Sequence, residues 1–325
     1  MSKMIFQIIL SIFIIVQKSR GQILHCRYLN EVTYTCKLDV LLAENRMNST
    51  KVSGEHLNDQ SDDEVTIVKA IFGSYSFFFP SIICEKFKNL KVLDLKDLGI
   101  QFLQNNSFDD CTNLEKLMIN IVINTELPDN LFNANTKMSS VMIVGSSLQS
   151  LSKNLFKSQE KSLKDLEIQL NNVNCLIPWN FFQSLSNLQY LVIAIKGLKT
   201  LDPDWFKTLS KLEELAIVQS EILNLPKYVF TNLENLRKLS LRINKLTVIH
   251  LDSFASLVNL NYLDLSDNKI YSMDPDIFKL KKLRFVNFSN NFCRQNSVID
   301  SSYDINSMPY LTNQCTHNFT LQSKV

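Results

Sequence analysis

The chain has 325 residues, 45% of them hydrophobic, and a net charge of +2. That is the make-up of a well-packed globular protein, without the charge excess that would draw it to nucleic acid or acidic substrates. Only 6 residues are glycine, which leaves little material for phosphate-cradling loops.

The N-terminus reads as a secretory address. Lys3 precedes the apolar run Met4 to Val16, and Ser19 and Gly21 supply the small residues of a cleavage site before Gln22. The run is shorter than the roughly 20 residues of a membrane span, so a cleaved signal peptide over 1–21 is expected rather than an anchor. No second apolar run follows, and the C-terminal HNFTLQSKV has no greasy lipid-anchor tail, so the mature chain is expected to be secreted, extracellular and not inserted in a membrane. Seven cysteines fit an oxidising destination, and none has zinc-site spacing.

After Gln22 come a segment with Cys26 and Cys36, then the acidic stretch Glu55 to Glu64, read as a solvated loop. From about Val65 the chain repeats itself. Units start at Leu90, Leu114, Met138, Leu163, Leu188, Leu212, Leu236, Leu260 and Leu283, at nearly equal steps. Apolar residues recur three and five positions after each start, as in Leu239 and Leu241. A phenylalanine recurs later: Phe108, Phe132, Phe156, Phe182, Phe206, Phe230, Phe254 and Phe278. A degenerate first unit falls in VTIVKAIFGSYSFFFP. Alternation in LxL gives a short strand with its leucines on one side. One such unit buries almost nothing alone, but stacked units enclose a continuous core.

This phrase resembles the leucine-rich repeat. The resemblance covers roughly Val65 to Cys315 and implies an α/β-type solenoid: a horseshoe with a concave parallel β-sheet and an irregular or short-helical convex side. It further implies an N-terminal disulfide cap and loop over 22–64 with Cys26 joined to Cys36. The repeats occupy 65–292, and a reduced C-terminal cap and tail over 293–325 pairs Cys293 with Cys315. In the family an asparagine after the strand satisfies backbone groups of the adjacent coil. Asn171, Asn244, Asn268 and Asn291 fit that place, Ser146 and Ser220 replace it in part, and Leu98, Val122 and Lys196 predict irregular turns.

Cys84 and Cys111 both fall on inward places of neighbouring coils, either paired or as two buried thiols. Cys175, one residue before the inward Leu176, is expected to point outward, as a shielded thiol or in an intermolecular disulfide. Sequons occur at Asn48, Asn105, Asn287 and Asn318. His25, His56, His250 and His317 share no repeat, and none stands at ligand spacing from a cysteine or carboxylate, so no catalytic residue, cofactor or metal is expected.

Function is expected on the outward face of the sheet, because packing fixes the inward places. Alternation puts Met118, Met142, Val144, Tyr190, Val192, Ala194, Ala216 and Val218 there, with Arg242 on a charged flank. The resemblance extends to secreted and receptor-ectodomain repeat proteins of animals, above all the small secreted ones of insects. It implies binding of an extracellular protein, or of a second copy, through the concave face, in immune recognition, adhesion or ligand presentation. A soluble inhibitor of an extracellular enzyme is the alternative, and a hydrolase a further one. No nucleic acid partner is expected.

Overall fold

The structure, a computed structural model, describes residues 22–42, 51–70, 75–79, 81–122, 126–173, 175–292 and 298–299. The expected signal segment, Asn48, Cys293, Cys315 and Asn318 lie outside the described residues. The chain forms two compact units, one of residues 1–124 with 130–138 and one of 125–129 with 139–325.

In the first unit β1 (Gln22–Asn30) and β2 (Tyr34–Leu42) form an antiparallel hairpin, and β3 (Lys51–Ser53) lies parallel to β1. Beyond β2 the pairing turns parallel, through β4 (Ile67–Ala70) to β6 (Val92–Phe102) and on to β7 (Lys116–Ile121), while β5 (Tyr75–Phe78) also pairs with β6. A single helical turn, Ile82–Lys86, lies between β5 and β6. The register of β6 against β7 shifts between Leu95 and Gly99, around the asparagine place that holds Leu98. A leucine there cannot bond the turn, and the backbone departs from the regular path.

The second unit holds β8 (Ser140–Gly145), β9 (Asp165–Leu170), β10 (Tyr190–Ile195), β11 (Glu214–Ile217), β12 (Lys238–Ser240), β13 (Val248–Ile249), β14 (Tyr262–Asp264), β15 (Ser272–Met273), β16 (Phe285–Asn287) and β17 (Val298–Ile299). From β8 through β12, then β14 and β16, each strand pairs in parallel with the next, and β13 pairs with β15 in a small second sheet. The result is a parallel-strand solenoid with little helix. Leu191, Leu215, Leu239, Leu263 and Val286 stand directly opposite one another across the strands, all buried. At about 1.5–3 kcal/mol for each large side chain withdrawn from water, such columns drive the stacking.

The phenylalanines form a second buried column. Phe182, Phe206, Phe230 and Phe254 follow one another with ring centroids 6.3, 5.9 and 6.0 Å apart. The first two pairs are stacked, with planes 30° apart, and the third is edge-on at 64°. Phe278 does not continue the column. It is half-exposed, and Ile277 is buried in its place, because the last full coil, from Leu260 to Leu283, is one residue shorter than the coil before it.

Two polar ladders fasten coil to coil. In the first, the Asn268 side-chain amide donates to the carbonyls of Leu241, Leu265 and Ser266 at 2.9, 3.0 and 3.1 Å, and its oxygen accepts from Leu246 N–H at 3.1 Å. Asn244 and Asn291 repeat the pattern. Ser220 substitutes in part, accepting from Ile195 N–H and donating to Val218 O, both at 3.1 Å. Asn171 does not take part as expected: it is exposed, and Asn172 reaches back to Leu148 O at 3.0 Å instead. The coil that starts at Leu163 is one residue longer than the common length, and the extra residue moves the ladder place by a single position.

The second ladder has no counterpart in the repeat phrase as read from sequence. Asn89, Asn113, Asn235 and Asn259, each just before a repeat start, donate to carbonyls of the preceding coil at 2.7 to 3.0 Å. Where a lysine holds that place it caps the asparagine below: Lys137 on Asn113, Lys211 on Asn187 and Lys282 on Asn259.

The turn before the first ladder is left-handed. Gln219, Ile243, Asp267 and Asn290 have φ of 51, 56, 56 and 58°. Ile243 is the costly one, since a β-branched side chain crowds the backbone there. Replacing this exposed residue in Ile243→Asn is expected to stabilise the protein by about 1 kcal/mol, seen as a higher urea midpoint. Asn268→Ala leaves buried backbone groups without partners and is expected to lower stability by about 2–3 kcal/mol in the same measurement.

Candidate functional site

The outward face of the second unit is organised in columns by the register. Tyr190 lies between Asp165 and Glu214, Val192 between Glu167 and Ala216, and Ala194 opposite Gln169. Met142 and Val144 on β8 face Glu167 and Gln169 from the other side. Met142, Val144, Ala216 and Val218 are half-exposed and Tyr190 is exposed, as alternation predicts. Val192 and Ala194 are a correction: they retain 7% and 9% of their accessibility and are buried on a strand whose other side is core. Both are short and stand beside the longer Glu167 and Gln169, which bond to each other at 2.5 Å. The face is therefore recessed at Val192 and Ala194, beside the polar Glu167 and Gln169, rather than a flat greasy surface.

Its flanks are polar. Lys238 meets Glu214 at 2.8 Å, and Arg237 meets Glu213 at 3.7 Å. Arg242, expected on the charged flank, lies on Asp267 at 2.9 Å, with Asn290 on the other oxygen of that carboxylate at 2.8 Å. These pairs are exposed and contribute little to stability, so a ligand can displace them. Burial first, then the carboxylates of Glu167, Glu214 and Asp165, hold the Tyr190 hydroxyl above the usual phenol range, so it stays protonated and able to donate. Beyond the flank Tyr262 and Phe285 stack face to face, centroids 4.5 Å apart. Met118 belongs to the first unit, half-exposed on β7 opposite Asp94.

Cys26 and Cys36 are joined across the β1–β2 hairpin with Cα atoms 5.2 Å apart. Cys84 and Cys111, both buried, are also joined, at a Cα separation of 4.9 Å. Cys175 is a free thiol, half-buried rather than outward-facing, and it is Leu176 that turns out to solvent at 71% exposure. The extra residue that moves the ladder from Asn171 to Asn172 also rotates this stretch. Of the described sequons, Asn105 is exposed, and the Asn287 side-chain oxygen accepts from Ser289 N–H and Oγ at 3.1 and 2.8 Å.

A polar cluster escaped the spacing argument. Leu57 N–H donates to the Tyr34 oxygen at 3.1 Å, the Tyr34 hydroxyl pairs with His56 Nδ1 at 3.0 Å, and His56 Nε2 donates to the Asp62 carboxylate at 3.0 Å. Lys86 completes Asp62 at 2.8 Å, and the Tyr28 ring stacks on the imidazole at 4.1 Å. The acidic stretch is thus pinned to the hairpin rather than merely solvated. His56 and Asp62 meet only because the loop folds back, which no local motif announces. With Tyr28 and Tyr34 buried, the arrangement fastens the acidic loop to the β1–β2 hairpin. Among the described residues no three of His, Cys, Asp and Glu converge as metal ligands, and no helix is long and apolar enough to cross a membrane.

The comparisons agree with this architecture. The family described as "Leucine rich repeat" matches residues 210–270, and that of "BspA type Leucine rich repeat region (6 copies)" matches residues 72–176. A search of curated proteins finds no match. Among solved structures the chain is similar to one from the Toll–Spatzle complex of Drosophila, at 18% identity and a TM-score of 0.56 over 85% of this chain and 41% of that one. An internalin of Listeria monocytogenes is similar at 18% identity and a TM-score of 0.51, over 70% of this chain and 62% of that one. This chain therefore spans less than two thirds of either. At such identity the likeness concerns fold alone, and neither matching family is one of enzymes. The coils described above are leucine-rich repeats, and the chain carries such repeats over residues 72–176 and 210–270.

Proposed function

We propose that the chain is a secreted recognition module that seats an extracellular protein on the outward sheet face of its second unit. The observation that carries the reading is the recess at Val192 and Ala194, with Ala216 and Val218 on one side, the Glu167–Gln169 pair and then Met142 and Val144 on the other, and charged pairs on the flank. An apolar centre with a polar, displaceable rim is the anatomy of a protein interface. Apolar patches of that kind on otherwise well-packed proteins mark binding sites. The Toll–Spatzle structure, described as a molecular hub in development and innate immunity, offers a precedent for this fold in recognition.

Secretion is supported by the sequence of the segment before Gln22 and by two cysteine pairs, which persist in oxidising compartments. On this reading residues 22–64 cap the solenoid at one end and 293–325 at the other. Asn105 and Asn287 carry glycans, and the recess is left uncovered for a partner or a second copy.

Two measurements check it. Expressed in insect or mammalian cells, the protein should appear in the medium starting at Gln22, and non-reducing peptide maps should recover Cys26–Cys36 and Cys84–Cys111. Retention inside the cell with Met1 intact would refute secretion. Met142→Glu with Ala216→Arg alters two outward residues outside the core, so the urea midpoint should barely move. The same pair should weaken binding of the partner captured from extracellular fluid by about a hundredfold, or dissociate a homodimer. Undiminished binding would take the site off this face.

A further inference from the structure

Outward basic side chains of the second unit are commonly neutralised from the neighbouring coil. Arg237 meets Glu213 at 3.7 Å, Lys238 meets Glu214 at 2.8 Å and Lys245 meets Glu221 at 2.7 Å, each pair one coil apart. The edge that leads into β16 breaks the pattern. Its stretch FKLKKLRF, from Phe278 to Phe285, carries Lys279, Lys281, Lys282 and Arg284, all exposed. Arg284 N–H bonds the Asn261 carbonyl at 2.9 Å, and the Lys282 ammonium bonds the Asn259 side-chain oxygen at 2.5 Å. The coil beneath therefore offers Asn259, Asn261 and the apolar Val258 at places where carboxylates would be needed. Among the described residues neither Lys281 nor Arg284 meets a carboxylate, and the row is offset by Asp276, 2.6 Å from Lys279 in the same turn.

The backbone holds these charges in place. Leu283 is buried, and its N–H bonds the Leu280 carbonyl at 3.0 Å, which closes a turn with Lys281 and Lys282 at its two middle places. Arg284 follows at the entrance to β16, beside the Tyr262–Phe285 stack. Like charges gathered so closely repel one another unless an opposite charge is brought to them. The net charge of only +2 shows that this density is local to the edge, not a property of the whole chain.

We propose that this row binds a linear sulfated polysaccharide of the glycosaminoglycan kind, laid along the edge with its sulfates on Lys281, Lys282 and Arg284. Short basic runs are the footprint of heparin-like or nucleic acid chains, and outside the cell the sulfated chain is the polyanion at hand. That choice of ligand rests on the secretion proposed above; the row of cations does not. Charges that follow one another along a single stretch of chain suit an extended polymer better than the plane of a membrane. The exposed Lys279–Asp276 pair adds little to stability and gives way to a sulfate.

The test uses purified full-length protein with immobilised heparin as the probe. Heparin should bind, and binding should weaken with salt at a log–log slope of about −3, as four cations release counterions from a linear polyanion. Lys281→Gln with Lys282→Gln and Arg284→Gln alters exposed side chains only, so the urea midpoint should stay put. Affinity should fall about tenfold or more, and the slope should shrink to about −1. Lys157→Gln with Lys161→Gln and Lys164→Gln removes the same charge from exposed places next to β9, several strands away. Screening acts over about 8 Å at physiological salt, so this control should leave affinity within about twofold. If the first variant unfolds, the unaltered protein answers instead: heparin should shield Lys281 and Lys282 from acetylation, read by peptide mass spectrometry, and leave Lys161 open. Equal loss in the control, or unshielded Lys281 and Lys282, would mean that heparin senses net charge alone, and overturns the proposal. Undiminished binding of desulfated heparin, tighter binding of duplex DNA, or capture by phosphatidylserine vesicles in place of heparin would overturn it too. Failure of heparin to bind protein recovered from the medium would sink this surface and leave secretion standing, whereas retention inside the cell would remove the ligand together with secretion.

Discussion

A coil of this chain has nothing to bury its leucines against except the same positions of the coils on either side. Every other feature of the second unit follows from that one constraint of phase. Leu215 sits on Leu191 and under Leu239 because the strands pair at equal register. The same register stacks Phe206 on Phe182, hands the Asn268 amide to carbonyls of two coils, and aligns Lys238 with Glu214 on the outside. Inside, phase is enforced by close packing and buried hydrogen bonds. Outside, nothing enforces it except the backbone, so the outward columns are free to vary, and that freedom is where a binding surface can be built.

The same constraint explains what was legible in the sequence. Where a coil keeps the common length, the repeat phrase places its inward side chains correctly: Leu239, Leu241 and Phe254 are all buried where counting puts them. The three misplacements fall in coils of other lengths. In the long coil after Leu163, Asn172 takes the ladder from Asn171 and Leu176 leaves the core; in the short coil after Leu260, Ile277 replaces Phe278. Counting from a fixed start cannot say where in a coil the surplus or missing residue is absorbed. Backbone hydrogen bonds decide that, and they are not written in side-chain polarity.

The outward face was legible to a lesser degree. Alternation identified the side of the strand for Met142, Val144 and Ala216 but not their exposure, which depends on the lengths of the side chains that neighbouring strands contribute. Val192 and Ala194 are sheltered by Glu167 and Gln169, which belong to the previous coil. The His56 cluster was invisible for a related reason. Its members come from the hairpin, the loop and the first helical turn, and no repeat connects them.

The asparagine ladder has a consequence for how the molecule opens. In a solenoid, stability is close to a sum over coils and over the interfaces between them. Three successive asparagines and Ser220 tie the coils from about Leu212 onward, whereas the preceding coil offers Lys196 at that place and the one before it is out of phase. Adjacent interfaces of such unequal strength divide a chain into separate cooperative blocks. Amide hydrogens of Asn172, Val173 and Cys175 to Ile177 would exchange by local opening long before those of β11, β12 and β14, and a protease would cut there before it cut within those strands.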